Sequence, residues 1–100
     1  EISVAVAKAA EYSGIRFYIM AGGSGSSEAP PLNHVEKISK HSSLFLIPTS
    51  GINTPEQVKQ LCSAGADAMH IGNRLERPSG FVVLQKMAKM VRKFPGKEFL

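Results

Sequence analysis

The chain has no tryptophan, a single cysteine, two tyrosines and only eight acidic residues against twelve basic ones. One cysteine excludes an intrachain disulfide, so no covalent staple holds the fold. Cys62 falls on the apolar stripe of a helical pattern, which reads as a buried reduced thiol rather than a nucleophile. No apolar run reaches the roughly 18 residues of a membrane-spanning helix, and no signal-peptide pattern is visible. Together these features point to a cytoplasmic protein. The basic residues are not interleaved with aromatics, which argues against a nucleic-acid partner. No carboxylate pair, Cys/His cluster or nucleophile–base spacing occurs, so most catalytic residues of any reaction are expected outside these residues.

What is present is punctuation. Ser43–Pro48 (Ser-Leu-Phe-Leu-Ile-Pro) is an almost continuous apolar run, the pattern of a parallel strand buried on both faces. A turn follows at Ser50-Gly51-Ile52-Asn53. Thr54 is then a natural N-cap, Pro55 suits the first helical position, and Gln57 completes a Thr-x-x-Gln capping box. Val58, Leu61 and Cys62 recur at i, i+3 and i+4 along one face. Gly65 predicts a left-handed stop. Ala66–Ile71 reads as the next strand, and Gly72-Asn73 turns at its end.

This spacing predicts two turns side by side at the carboxyl ends of neighbouring parallel strands. In (β/α)₈ barrels the loops after the last two strands hold a substrate phosphate. Glycine suits them because backbone N–H groups then approach phosphate oxygens with no Cβ in the way. The following helix adds its amino-terminal partial charge. Ser50, Gly51, Gly72 and Asn73 are therefore candidate phosphate-binding residues.

The remaining chain repeats the grammar. Glu1–Tyr12 reads as a helix with Ile2, Ala5, Val6, Ala9 and Tyr12 on one side, and Ile15–Met20 as a strand. Ala21–Pro31 is a long loop, Leu32–Lys40 a helix, and Phe81–Lys93 a last helix ended by Pro95-Gly96. Strict alternation argues an α/β parallel arrangement with all three glycine loops at one end. One hundred residues, against about 250 for a full barrel, predict the carboxyl-terminal part (about three βα units) of a TIM (β/α)₈ barrel, spanning 1–100 as a single fragment. Such a part leaves strand edges unpaired, so a homo-oligomer is expected.

The loop Ala21-Gly22-Gly23-Ser24-Gly25-Ser26-Ser27 clusters N–H and hydroxyl donors after a strand, a second candidate anion cradle. From Arg74 onward seven basic residues face only Glu76 and Glu98. That segment could attract an anionic substrate, touch an acidic membrane surface peripherally, or solvate the last helix; its lysines fall between Leu84, Met87, Ala88 and Val91, which favours the solvated face. His70 reads as a core or barrel-lining residue, His34 and His41 as solvated, and Asp67 as a turn hydrogen-bonder.

Residues 7–26, Ala-Lys-Ala-Ala-Glu-Tyr-Ser-Gly-Ile-Arg-Phe-Tyr-Ile-Met-Ala-Gly-Gly-Ser-Gly-Ser, resemble a stretch of the geranylgeranylglyceryl and heptaprenylglyceryl phosphate synthases. That family shows Ala-Ala-Glu-Tyr-x-Gly and then Tyr-Leu-Glu-Ala-Gly-Ser-Gly. Its later Gly-Gly-Ile and Gly-Ala-Asp…Gly-Thr/Asn segments are similar to Ser50-Gly51-Ile52 and Gly65-Ala66-Asp67…Gly72-Asn73. The resemblance implies transfer of a polyprenyl group from its diphosphate to the 3-hydroxyl of sn-glycerol 1-phosphate, with Mg²⁺ on the diphosphate. It implies that glycerol phosphate lies against Tyr18, Ala21, Gly22, Gly23, Ser24, Gly25, Ser50, Gly51, Gly72 and Asn73. The metal ligands would belong to the other half of the barrel.

One departure bears on chemistry. The family's Glu after Tyr-Leu is thought to help deprotonate the attacking hydroxyl. Keeping Tyr18 in register puts Met20 at that place, whereas an ungapped register puts Ala21 there, and neither accepts a proton. Ser50 also replaces the first glycine of Gly-Gly-Ile. Three alternatives stay open: an indole-glycerol-phosphate-synthase-like enzyme, an FMN-dependent oxidoreductase using the same loops, and a non-catalytic relative.

Overall fold

In the computed structural model, which describes residues 2–21 and 29–94, the apolar runs become a parallel pair. Strand β1 is Phe17–Ala21 and β2 is Phe45–Thr49, in register from Phe17 against Phe45 to Ala21 against Thr49. Both lie slightly later in the chain than the sequence pattern predicts. The ladder opens only where the Phe45 N–H reaches the Arg16 carbonyl, at 2.8 Å.

The predicted third strand is realised only in part. Residues 66–71 run parallel to β2, but the recorded pairing is a single bridge, Thr49 to His70. Two features of β2 explain this. The Leu46 N–H is taken by the Asp67 carboxylate, at 2.9 Å, and Pro48 has no N–H to give. The segment therefore holds on mainly by its own donors: Asp67 and Ala68 N–H both to the Leu46 carbonyl, and His70 N–H to that of Pro48. Asp67 is thus a clamp across strands rather than a turn residue.

Helices α1 (Ile2–Tyr12), α2 (Leu32–His41), α3 (Pro55–Ala64) and α4 (Gly80–Val91) follow, with a 3₁₀ turn at Asn73–Glu76. Each helix packs on the next, α1 on α2, α2 on α3 and α3 on α4. They form one row on one face of the strands, as in a singly wound barrel wall. Met20, Leu46 and Pro48 point into that layer with Val35, Ile38, Val58, Leu61 and Met87. A fully buried Leu or Ile here stabilises by about 1.5–3 kcal/mol.

The opposite face carries Phe17, Ile19, Phe45 and Ile47, the alternate residues of each strand. Ile19 is 69% exposed, and Phe17 meets Phe45 edge-on with ring centroids 5.6 Å apart.

Sequence boundaries held where local chemistry sets them. Thr54 and Gln57 form the reciprocal capping box, and Gly65 closes α3 in the left-handed region, at φ 116°. Amphipathic faces were less legible. On α1 the buried residue is Ala7, while Val6 and Tyr12 are exposed. Glu11, one turn beyond Ala7, accepts hydrogen bonds from the Ser43 N–H, at 2.6 Å, and hydroxyl, which fixes the helix's rotation. On α4 the inner stripe is Val83, Met87, Met90 and Val91, at i, i+4, i+7 and i+8, with Ala88 outside. Lys86, Lys89, Arg92 and Lys93 are exposed, as a solvated face requires. Cys62 is half-buried, and burial pushes its thiol pKa up. The Pro95-Gly96 stop lies outside the described residues.

The Glu11 tie predicts an acid-sensitive α1. Donation from the Ser43 hydroxyl and N–H holds this carboxyl below its ordinary 4.5, and Lys8 adds a weaker attraction. A depressed pKa means the stabilisation is complete above the unfolded-state value and fades as pH falls through the folded one. Acid titration followed by circular dichroism is expected to show helix loss beginning below about pH 4.5. In Glu11→Gln that component disappears.

Candidate functional site

The carboxyl ends of the three extended segments form a row. Ala21 pairs with Thr49, and Thr49 bridges to His70, so three chain exits leave the sheet side by side. The turn at Ser50–Gly51 starts directly after Thr49, and Gly72 follows His70 by two positions. The third exit leads from Ala21 into 22–28, so Gly22, Gly23, Ser24 and Gly25 lie outside the described residues.

The Ser50–Gly51 turn is held in one shape. Both residues have positive φ, 74° and 63°. For Ser50 that conformation costs about 1–2 kcal/mol, which the surroundings must hold in place. Gln57 does so from the first turn of α3. Its Oε1 accepts from the N–H groups of Asn53, at 2.7 Å, and Thr54, at 3.0 Å. Its Nε2 donates to the Gly51 carbonyl at 2.9 Å, joined by Asn53 Nδ2 at 3.3 Å. With that carbonyl tied down, the turn has a fixed orientation at the row of exits. The capping box was legible in sequence; its second bond, to Gly51, was not.

Gly72 differs from Gly51. It is exposed, has φ −126°, and an added Cβ there would meet nothing within 4 Å. Within the described residues nothing crowds that position. Asn73 opens the 3₁₀ turn.

Strand faces separate the candidates on β1. Tyr18 lies in register with Leu46 and packs against the helix-side core, away from the open face. Met20 points the same way and is buried. Ala21, at the end of β1, is exposed on the other face in register with Thr49. Side chains alternate along a strand, so Tyr18 and Ala21 cannot serve one open-face ligand together.

His70 lies outside the helix-side core, which leaves the barrel-lining reading of it open, and its Nδ1 lies 3.2 Å from Thr49 Oγ1. Sequence reasoning gave Thr49 no role, because only the register brings it against His70. Among the described residues, no three His, Cys, Asp or Glu side chains gather as metal ligands. The described residues therefore offer no cluster of side chains fit to hold Mg²⁺. No described helix is long and apolar enough to cross a membrane.

Comparison with known proteins gives a consistent picture. No family model matches the chain. It is 41% identical over 76 residues to the geranylgeranylglyceryl phosphate synthase of Metallosphaera sedula, covering 76% of this chain and 30% of that protein. To the synthase of Thermofilum pendens it is 36% identical over 92 residues, covering 92% of this chain and 35% of that one. The structure also resembles the Thermoplasma acidophilum (S)-3-O-geranylgeranylglyceryl phosphate synthase in complex with its substrate sn-glycerol-1-phosphate. That match has a TM-score of 0.83 and 30% identity, over 92% of this chain and 38% of the other. The chain thus spans about a third of the length of the curated relatives it matches.

Proposed function

We propose that this chain, which belongs as a fragment to the geranylgeranylglyceryl phosphate synthase family, supplies the glycerol-phosphate end of a prenyltransferase site. In the full-length protein, the polyprenyl group of a diphosphate is transferred to the 3-hydroxyl of sn-glycerol 1-phosphate, for ether-lipid synthesis. The carrying observation is the row Ala21–Thr49–His70 with two turns leaving it side by side. In this reading the main-chain N–H groups of the Ser50–Gly51 and Gly72–Asn73 turns would bind the phosphate. An anion held by several main-chain donors gains charge-assisted bonds without side-chain entropy loss.

The remaining two thirds of the barrel would cover the open face of β1 and β2, where Phe17 and Ile19 are exposed. Mg²⁺ for the diphosphate would be held by that part. A cytoplasmic enzyme working at a membrane edge, with copies associated, completes the proposal.

Gly72→Val tests the site cleanly. Thermal stability is expected to stay unchanged, since φ is negative and the space is open. Affinity for glycerol 1-phosphate, measured calorimetrically in the full-length protein, is expected to fall by about 10–100-fold, the worth of one hydrogen bond to a charged group. Unchanged affinity would remove Gly72 from the site.

A further inference from the structure

Among Ala21, Thr49 and His70, the three residues that end the row, His70 carries an ionisable side chain. We propose that His70 is the proton acceptor of the transfer reaction, with Thr49 as its positioning residue; this rests on the site reading above. Making an ether from a glycerol hydroxyl requires the hydroxyl proton to leave. The O–H bond breaks and the oxygen electron pair forms a bond to C1 of the prenyl chain. The bond from C1 to the diphosphate oxygen breaks, its electrons departing with diphosphate. The proton goes to His70 Nε2, and no oxidant or reductant is needed.

Four observations support the assignment. His70 is not packed into the helix-side core. Its backbone is fixed by its N–H to the Pro48 carbonyl, at 3.1 Å. Its Nδ1 is 3.2 Å from Thr49 Oγ1. When Nδ1–H donates to that oxygen, the neutral ring keeps its lone pair on Nε2, the form a general base needs. Finally, His70 lies between the two turns assigned to phosphate: it bridges the residue before Ser50 and precedes Gly72 by two. A substrate with its phosphate on those turns has its far hydroxyl only a three-carbon chain away. Neither Ala21 nor Met20, on β1, offers a proton acceptor.

A structural reading would make the Thr49–His70 bond a fastener for the sheet's end, and kinetics separate the two. In the full-length protein, His70→Ala is expected to lower kcat by about 10²–10⁴-fold, the usual worth of a positioned base. The dissociation constant for glycerol 1-phosphate stays within about twofold, because the phosphate donors are main-chain groups elsewhere. Added imidazole restores part of the lost turnover, which a merely structural loss would not permit. Thr49→Val gives a smaller fall in kcat with binding intact. Normal turnover in His70→Ala, or a loss that imidazole does not touch, overturns the assignment while leaving the site reading standing. A wild-type protein that binds no glycerol 1-phosphate overturns both.

Discussion

Gly65→Ala is expected to be among the most destabilising single substitutions in this chain, at about 2–6 kcal/mol. Two separate effects combine. Gly65 has φ 116°, a conformation that residues with a Cβ rarely adopt. Holding a non-glycine residue there costs about 1–3 kcal/mol. The added Cβ would also sit 2.5 Å from the Ser39 Cβ of α2 and still nearer its Oγ. Contact that close forces the α2–α3 packing apart, at about 1–3 kcal/mol. Since whole domains are stable by only about 5–15 kcal/mol, urea unfolding should show a markedly lower midpoint. Ser39→Gly in the same molecule removes the clash but not the backbone strain. The double variant should therefore recover part of the loss, and strict additivity of the two single effects would refute the packing account.

Gly65 was legible in sequence as a helix stop, yet its second constraint, the closeness of Ser39, was not. The same division recurs throughout. The capping box of Thr54 and Gln57 depends on residues three apart, so sequence displays it fully. The apolar run of β2 predicts a buried parallel strand, and the strand forms. The segment at 66–71 breaks the pattern because Asp67 and Pro48 interrupt the ladder, an effect that appears only once Leu46 and Asp67 are known to be neighbours. Strand parity was decided the same way. Composition cannot tell whether Tyr18 or Ala21 faces a ligand; register with Leu46 and Thr49 can. Thr49 and His70 are 21 residues apart, so their hydrogen bond has no local signature at all. The candidate site was thus legible as turns and not as side chains.

That distinction between faces leads to opposite outcomes for a carboxylate placed at two adjacent positions. Met20→Glu is expected to unfold the protein or nearly so. Met20 is buried in the helix-side core with no partner for a charge, and an unpaired buried charge costs about 3–5 kcal/mol. Ala21→Glu, one residue on, projects from the strand end away from the helix-side core and should cost far less stability than Met20→Glu. Its consequence is chemical. At that place in the row, two strands from His70, a carboxylate can take the hydroxyl proton from the other side of the same ligand. In the full-length protein, adding Ala21→Glu to His70→Ala should recover about 10-fold or more of the turnover lost by His70→Ala alone. Added to wild type, where His70 already serves, it should change turnover much less. Product is followed as radiolabelled glycerol 1-phosphate converted to an organic-extractable ether, with urea unfolding of each variant alongside. A stable, active Met20→Glu beside an inert Ala21→Glu would invert the assignment of faces, and with it the placement of the site on the open side of β1 and β2.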